Sequence, residues 1–208
     1  MRWWCKSAAI LLALIVGMPG LVRATTVTFD DLPNSGSNLV IPNGYGGLNW
    51  NNMYYLNPSI GYSATGYMNG VVSPSNVAYN GYGSPADVLS VSSSSPFTFN
   101  SAYFTGAWND GLQVQITGYR NGIQVDQTTV TVNTSGPLLV TLDWSNIDDL
   151  HFVSSGGTAH YQAPGYQFVM DNFRYNEPAA VPEPSAMVLG LGGLGLLAVY
   201  RSRRRRGG

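Results

Sequence analysis

Three carboxylates, Asp30, Asp31 and Asp171, are the residues whose type and setting point most directly to chemistry. Asp171 lies in the run Phe168-Val169-Met170-Asp171-Asn172-Phe173, and unbroken alternation along a strand gives it the parity of Val169, Phe173 and Tyr175, the apolar side. A carboxylate turned toward apolar neighbours is costly unless a cation, an arginine or several hydrogen-bond donors compensate it. If the first and last strands adjoin, Asp30 and Asp31 at the end of the first meet Asp171, and backbone carbonyls of the Gly-rich stretch Asn43 to Gly47 complete an oxygen cage of the kind calcium prefers. The same residues also read without metal. Asp30 and Asp31 precede Leu32-Pro33 as turn formers, and Asp171 then pairs with Arg120 or Arg174 or caps a bulge. A structural calcium is thus an expectation with an alternative beside it.

The second constellation is aromatic. Between Tyr45 and Tyr67 the chain carries Tyr45, Trp50, Tyr54, Tyr55, Tyr62 and Tyr67 among Asn, Gly and Ser. Aromatic faces flanked by amides suit sugars, because the ring offers an apolar platform while neighbouring polar groups take the hydroxyls. Trp108, beside Asn109-Asp110-Gly111, is a further platform at a loop tip, whereas Trp144 reads as core. Tyr45, Trp50, Tyr54, Tyr55 and Trp108 are therefore the candidate glycan contacts, the alternative being a long loop that packs on itself.

Enzyme signatures are weak. His151 sits in a strand-like run and His160 in a Ser/Gly loop, no H-E-x-x-H or Cys/His metal spacing occurs, and Gly61-Tyr62-Ser63-Ala64-Thr65-Gly66 misses G-x-S-x-G by one residue. Asp148 and Asp149 could mimic a glycosidase carboxylate pair, though adjacent residues on a strand point to opposite faces. Gly190, Gly192 and Gly195 satisfy G-x-G-x-x-G without the strand that must precede a dinucleotide site. No catalytic residue is assigned, and the chain reads as a non-enzyme.

The elements that must position these residues are strands. Short period-two runs recur at Thr26–Phe29, Gly47–Trp50, Val88–Val91, Phe97–Phe104, Leu112–Tyr119, Ile123–Val132, Leu138–Leu142, Leu150–Val153 and Tyr166–Tyr175, with no helix-period stretch of useful length between them. The clearest is the hairpin at Asn121-Gly122, a pair that tolerates the positive φ angles of a tight turn, with Leu112, Val114 and Ile116 on one face of the incoming strand. The fold class this implies is all-β, an antiparallel β-sandwich of jelly-roll type. A barrel or β-helix is the alternative, but no fixed repeat period supports a solenoid.

Charge and the two termini place this domain. Between Thr25 and Val181 nine aspartates and Glu177, ten acidic residues, face only Arg120 and Arg174, a net charge of −8 with no lysine, which excludes nucleic acid as a partner. Residues 1–24 carry Arg2 and Lys6, an apolar run from Ala8 to Val16, and Val22-Arg23-Ala24 as a small-residue cleavage site, and so read as a signal peptide for signal peptidase and the secretion machinery. Cys5, the only cysteine, falls within this signal, so the exported domain at residues 25–177 has no disulfide. Residues 178–208 form a tail: Pro182-Glu183-Pro184, an apolar transmembrane helix at 186–200 that spans roughly 22 Å, and an Arg-rich end at 201–206 that stays cytoplasmic.

This three-part tail resembles the PEP-CTERM sorting signal. The resemblance implies that exosortase, a membrane-embedded cysteine protease of Gram-negative bacteria that make exopolysaccharide, cuts near the triplet. A membrane-held precursor would then yield a domain in the cell envelope or extracellular matrix; an uncut single-pass anchor is the alternative. Thr28-Phe29-Asp30-Asp31-Leu32, Gly118-Tyr119-Arg120-Asn121-Gly122 and Phe168-Val169-Met170-Asp171-Asn172-Phe173 are similar to domains that precede such tails. Those domains resemble carbohydrate-binding jelly rolls whose first and last strands lie near each other. The function expected is thus an exported surface protein whose sandwich binds exopolysaccharide, with a self-associating structural protein or a secreted polysaccharide hydrolase as alternatives.

Overall fold

The computed structural model describes residues 24–36, 38–161 and 164–177; the expected signal segment up to residue 23, and the tail from residue 178 with the Pro182-Glu183-Pro184 triplet and the 186–200 span, lie outside them. In chain order the strands are β1 (Thr25–Val27), β2 (Leu39–Val40), β3 (Leu48–Asn51), β4 (Met53–Leu56), β5 (Val77–Asn80), β6 (Ala86–Ser90) and β7 (Phe97–Gly106). They continue with β8 (Asn109–Asp110), β9 (Leu112–Arg120), β10 (Ile123–Val132), β11 (Leu138–Ile147), β12 (Asp149–Ser155), β13 (Thr158–Ala159) and β14 (Phe168–Tyr175). One short helix, α1 (Gly66–Asn69), lies between β4 and β5.

The hairpin is built as the sequence predicts. Asn121 and Gly122 take φ of 51° and 73°, Ile123 pairs with Arg120, and Leu112, Val114 and Ile116 are fully buried. Burial on that scale contributes about 1.5–3 kcal/mol per side chain. From this hairpin a five-stranded sheet extends in the order β10-β9-β12-β6-β3, facing a sheet ordered β11-β7-β14-β5-β4-β2 in which β1 also pairs with β14. The pairings in both are antiparallel, which makes the domain the β-sandwich expected. First and last strands do adjoin, Thr25 opposite Tyr175 and Val27 opposite Phe173.

Aromatic rings from both sheets fill the space between them. Phe152 of one sheet packs against Phe104 and Phe168 of the other at centroid separations of 5.9 and 5.3 Å, and Trp50 meets Phe173 edge-on at 5.7 Å. The larger sheet is also covered on its outer face. There Leu56, Tyr67, Val77, Tyr79, Ala107 and Val169 form a second apolar cluster beneath the segment between β4 and β5.

That double cover explains the strands that alternation does not reveal. β4 and β5 send Met53, Tyr55 and Ala78 inward and Leu56, Val77 and Tyr79 outward into apolar surroundings, so neither face carries the polar residues that alternation needs. The aromatic stretch from Tyr45 to Tyr67 is accordingly two strands and a covering segment rather than one loop. β11 runs past Leu142 to Ile147 because Asp143 and Asn146, at φ 51° and 60°, make bulges that hide its period from a sequence reading.

Candidate functional site

Tyr54 and Tyr79 stand side by side on β4 and β5, a direct cross-strand pair with ring centroids 5.9 Å apart. Strand alternation points both to the outer face, where Tyr67 of α1 meets Tyr79 edge-on at 5.3 Å and Trp108 meets Tyr67 at 5.7 Å. Thr65 caps α1, its hydroxyl accepting from the Tyr67 N–H, so the ring is delivered from a fixed turn. Tyr62 closes the same group against Tyr67 and Trp108. With Asn38, Gly81, Tyr82 and Gln167, these rings line a half-open cavity of about 130 Å³.

The rim is unusual in two respects. Tyr82 is 84% exposed and holds φ 58°, a left-handed conformation that costs an L-residue roughly 1–2 kcal/mol. Its ring stands edge-on to Tyr54 at 6.1 Å. The turn that presents it is held firmly: Gly81 N–H donates to Asn52 O, Asn52 Nδ2 donates to Pro85 O, and Asn80 Nδ2 donates to Ser84 O. A Cβ on Gly81 would sit 2.4 Å from Tyr54 Cε2 and 2.5 Å from Asn52 Oδ1, so any other residue there must displace the Tyr54 ring and the Asn52 amide. Gln167 Oε1 is buried, with no hydrogen-bond partner among the described residues.

Electrostatically the cavity is neutral. Burial, reinforced by neighbouring phenols, pushes the Tyr67 and Tyr79 hydroxyls well above their ordinary range, with the Trp108 indole acting against this at Tyr67. Both therefore remain protonated hydrogen-bonding groups at any ordinary pH. Among the described residues the lining contains no carboxylate, lysine, arginine or histidine.

Of the expected glycan contacts, Tyr54 and Trp108 come together here, joined by Tyr62 and Tyr67. Trp50 and Tyr55 do not: both are buried in the main core, Tyr55 because successive strand residues point to opposite faces, and the Trp50 indole donates to Tyr45 O. Tyr45 lies elsewhere, beside β1, its hydroxyl donating to Asp31. Tyr79, Tyr82, Asn38 and Gln167 escaped the sequence reading. The Asn80-Gly81-Tyr82-Gly83 turn was the available signal for Tyr82.

The carboxylates of the expected calcium site lie on different parts of the outer surface and its covering segments. A bulge at Asn172, φ 49°, breaks the alternation, so Phe173 and Tyr175 turn inward while Asp171 joins Val169 on the covered outer face. There Asp171 accepts from the backbone N–H groups of Val72 (2.7 Å), Ser73 (2.9 Å) and Asn172 (2.7 Å) and from Ser73 Oγ (3.3 Å). Burial nevertheless prevails over these donors and raises its pKa to about 6. Asp30 accepts from Asn76 N–H at 2.9 Å, and Asp31 from Tyr45. The carbonyls of Gly44, Tyr45 and Gly46 accept from Gly47 N–H, Trp50 Nε1 and Tyr175 hydroxyl. Each of the three carboxylates thus accepts hydrogen bonds from the protein, and among the described residues no three His, Cys, Asp or Glu side chains are grouped to hold a metal. Neither arginine pairs with Asp171, since Arg120 bridges to Asp148 and Arg174 to Glu177.

The remaining titratable groups lie away from the cavity. Asp148 takes Arg120 and the Asn121 N–H, Asp149 lies near Asp87 and His151, and both border one shallow cleft beside Asn121 and Gly122. The two histidines contact carboxylates, His151 with Asp87 and His160 with Asp110, and neither pair lines the aromatic cavity.

Residues 180–206 match the PEP-CTERM protein-sorting motif, the tail that the sequence reading expected. This motif implies an exported protein that passes through the membrane and is sorted by exosortase. No curated protein matches the chain. Among solved structures the chain is similar to the K2 cleaved adhesin domain of Lys-gingipain, at 10% identity and a TM-score of 0.42, over 74% of this chain and 98% of that one. It is also similar to the M60 catalytic domain with the CBM51-1 and CBM51-2 domains from Clostridium perfringens ZmpB, at 12% identity and a TM-score of 0.34, over 76% of this chain and 15% of that one.

Proposed function

We propose that this exported, exosortase-sorted chain is a non-enzymatic surface protein of the cell envelope or matrix of a Gram-negative bacterium, and that its sandwich binds exopolysaccharide through the tyrosine-lined cavity. The observation that carries this reading is the convergence of five tyrosines and Trp108 on one half-open cavity. Ring faces supply the apolar platforms that sugars stack on, and the phenols, Asn38 and Gln167 supply hydrogen-bonding groups for hydroxyls. The lining supports binding rather than hydrolysis, since glycoside hydrolysis by the ordinary route needs two carboxylates across the scissile bond and the described residues of the cavity include none.

Sedimentation of the purified protein with the producer's own exopolysaccharide tests the binding. Retention with the polymer and no new reducing ends is the expected result. Failure to co-sediment at any concentration would remove the binding reading, and released reducing ends would make the protein a hydrolase. Sorting is tested separately by replacing Pro182, Glu183 and Pro184 together with alanine, which should leave an unprocessed, membrane-held precursor.

A further inference from the structure

Resting on the reading of the cavity as a glycan site, we infer that it takes one uncharged sugar ring, the terminal residue of a chain or branch, and that Tyr82 is the surface on which this ring stacks. Size is the first argument. A volume of about 130 Å³ is below the roughly 150 Å³ in which an engineered cavity holds a single benzene ring, so at most one pyranose enters, with its outer side left at the open mouth. The cavity is also blind. Tyr67 and Tyr79 at its inner end are 3% and 4% exposed whereas Tyr82 at the rim is 84% exposed, so a chain enters end-on and does not thread through.

Charge decides which ring. Among the described residues nothing cationic lines the cavity, and the two arginines of the described domain are already paired with Asp148 and Glu177. A uronate, sulfate or phosphate group would give up hydration without meeting a counter-charge, and would approach a domain of net charge −8, ten acidic against two basic residues. Neutral hydroxyls meet a better match. The phenols of the lining and the amides of Asn38 and Gln167 offer uncharged donors and acceptors to such hydroxyls.

Tyr82 supplies the third argument. The fold holds an L-residue at φ 58° in a pinned turn and leaves most of its aromatic ring in solvent, two unfavourable features against which the ring makes only the edge contact with Tyr54. A sugar face laid on that ring covers it, and the edge-on contact with Tyr54 fixes the ring's angle over the opening.

The test uses the full-length chain in a sugar-free detergent. Ligand-observed NMR and tryptophan fluorescence would follow titration with methyl glycosides of neutral hexoses, N-acetylhexosamines and 6-deoxyhexoses, and with glucuronate. At least one neutral glycoside should bind, with glucuronate at least about tenfold weaker. Tyr82→Ala should weaken that binding by roughly fivefold to tenfold with no fall in melting temperature, while Tyr82→Phe keeps it. If exopolysaccharide binds but no single glycoside does, or glucuronate binds equally, or Tyr82→Ala binds as wild type, the inference fails and the broader glycan reading stands. If the polymer itself is not bound, both fail.

Discussion

Asp149 and Asp171 are carboxylates held where ionisation is unfavourable, and burial, aided at Asp149 by the Asp87 carboxylate, raises each to about 6. An unfolded aspartate titrates near 4, so both groups favour the native state below that pH, and the advantage is lost as pH rises through about 6. Asp110 works in the opposite sense: hydrogen bonds from Thr134 hold it below its ordinary range, so its contribution is present above about pH 4 and is lost only in stronger acid. Thermal melts should therefore give a higher melting temperature near pH 4.5 than near pH 7.5. In Asp149→Asn, which removes the charge beside Asp87 and whose Oδ1 is buried without a partner, the neutral-pH value should rise and the slope flatten. A melting temperature that falls steadily from pH 7.5 to 4.5 would refute this assignment. Asp171→Ala should behave differently. It leaves the N–H groups of Val72, Ser73 and Asn172 without their acceptor and should destabilise the domain by roughly 2–4 kcal/mol in urea denaturation.

The cavity exists because the segment between β4 and β5 is clamped onto the outer face of the larger sheet, and α1 is the clamp. Gly66 N–H donates to Ala107 O at 3.1 Å, and a Cβ on Gly66 would lie 1.9 Å from Gly106 O, so the helix approaches β7 as closely as backbone allows. Gly66→Ala should lift α1 away, costing roughly 1–3 kcal/mol in denaturation and exposing Tyr67. Faster amide exchange at 66–70, with β9 and β10 unchanged, is the signature to look for. An unchanged exchange pattern would show that the clamp lies elsewhere. This element also marks the limit of what the sequence disclosed. The hairpin at Asn121-Gly122 was legible because β9 has one wet and one dry face, and residues Gln113 and Gln115 alternate with Val114 and Ile116. β4 and β5 were not legible, because a sheet covered on both sides loses the polar half of its pattern. Tyr54 and Trp108 were recognisable as platforms by type, but whether a ring lines the cavity or the core was settled by parity in a strand that could not be seen. Asp171 was singled out correctly as a buried carboxylate, and its wrong face followed from one left-handed asparagine.

At the scale of the whole domain, a net charge of −8 with no lysine means that the native state works against its own repulsion. Sodium chloride screens that repulsion, the Debye length falling from about 30 Å at 0.01 M to about 8 Å at 0.15 M, so the melting temperature should rise over this range. A bound calcium would add something that screening cannot. Its effect would saturate, would depend on the identity of the ion and would vanish with chelator, since a ligand that binds only the native state stabilises by mass action. Asp30, Asp31 and Asp171 already have protein donors: Asn76 for the first, Tyr45 for the second, and three backbone N–H groups with a serine hydroxyl for the third. A cation would have to displace these bonds and leave the freed donors buried. We therefore expect calcium and magnesium chlorides at equal ionic strength to give the same melting curve, and EDTA to change nothing. A saturable rise with calcium alone, abolished in Asp171→Ala, would mean that the carboxylates regroup around the ion, and the hydrogen-bond account of Asp171 would have to be abandoned.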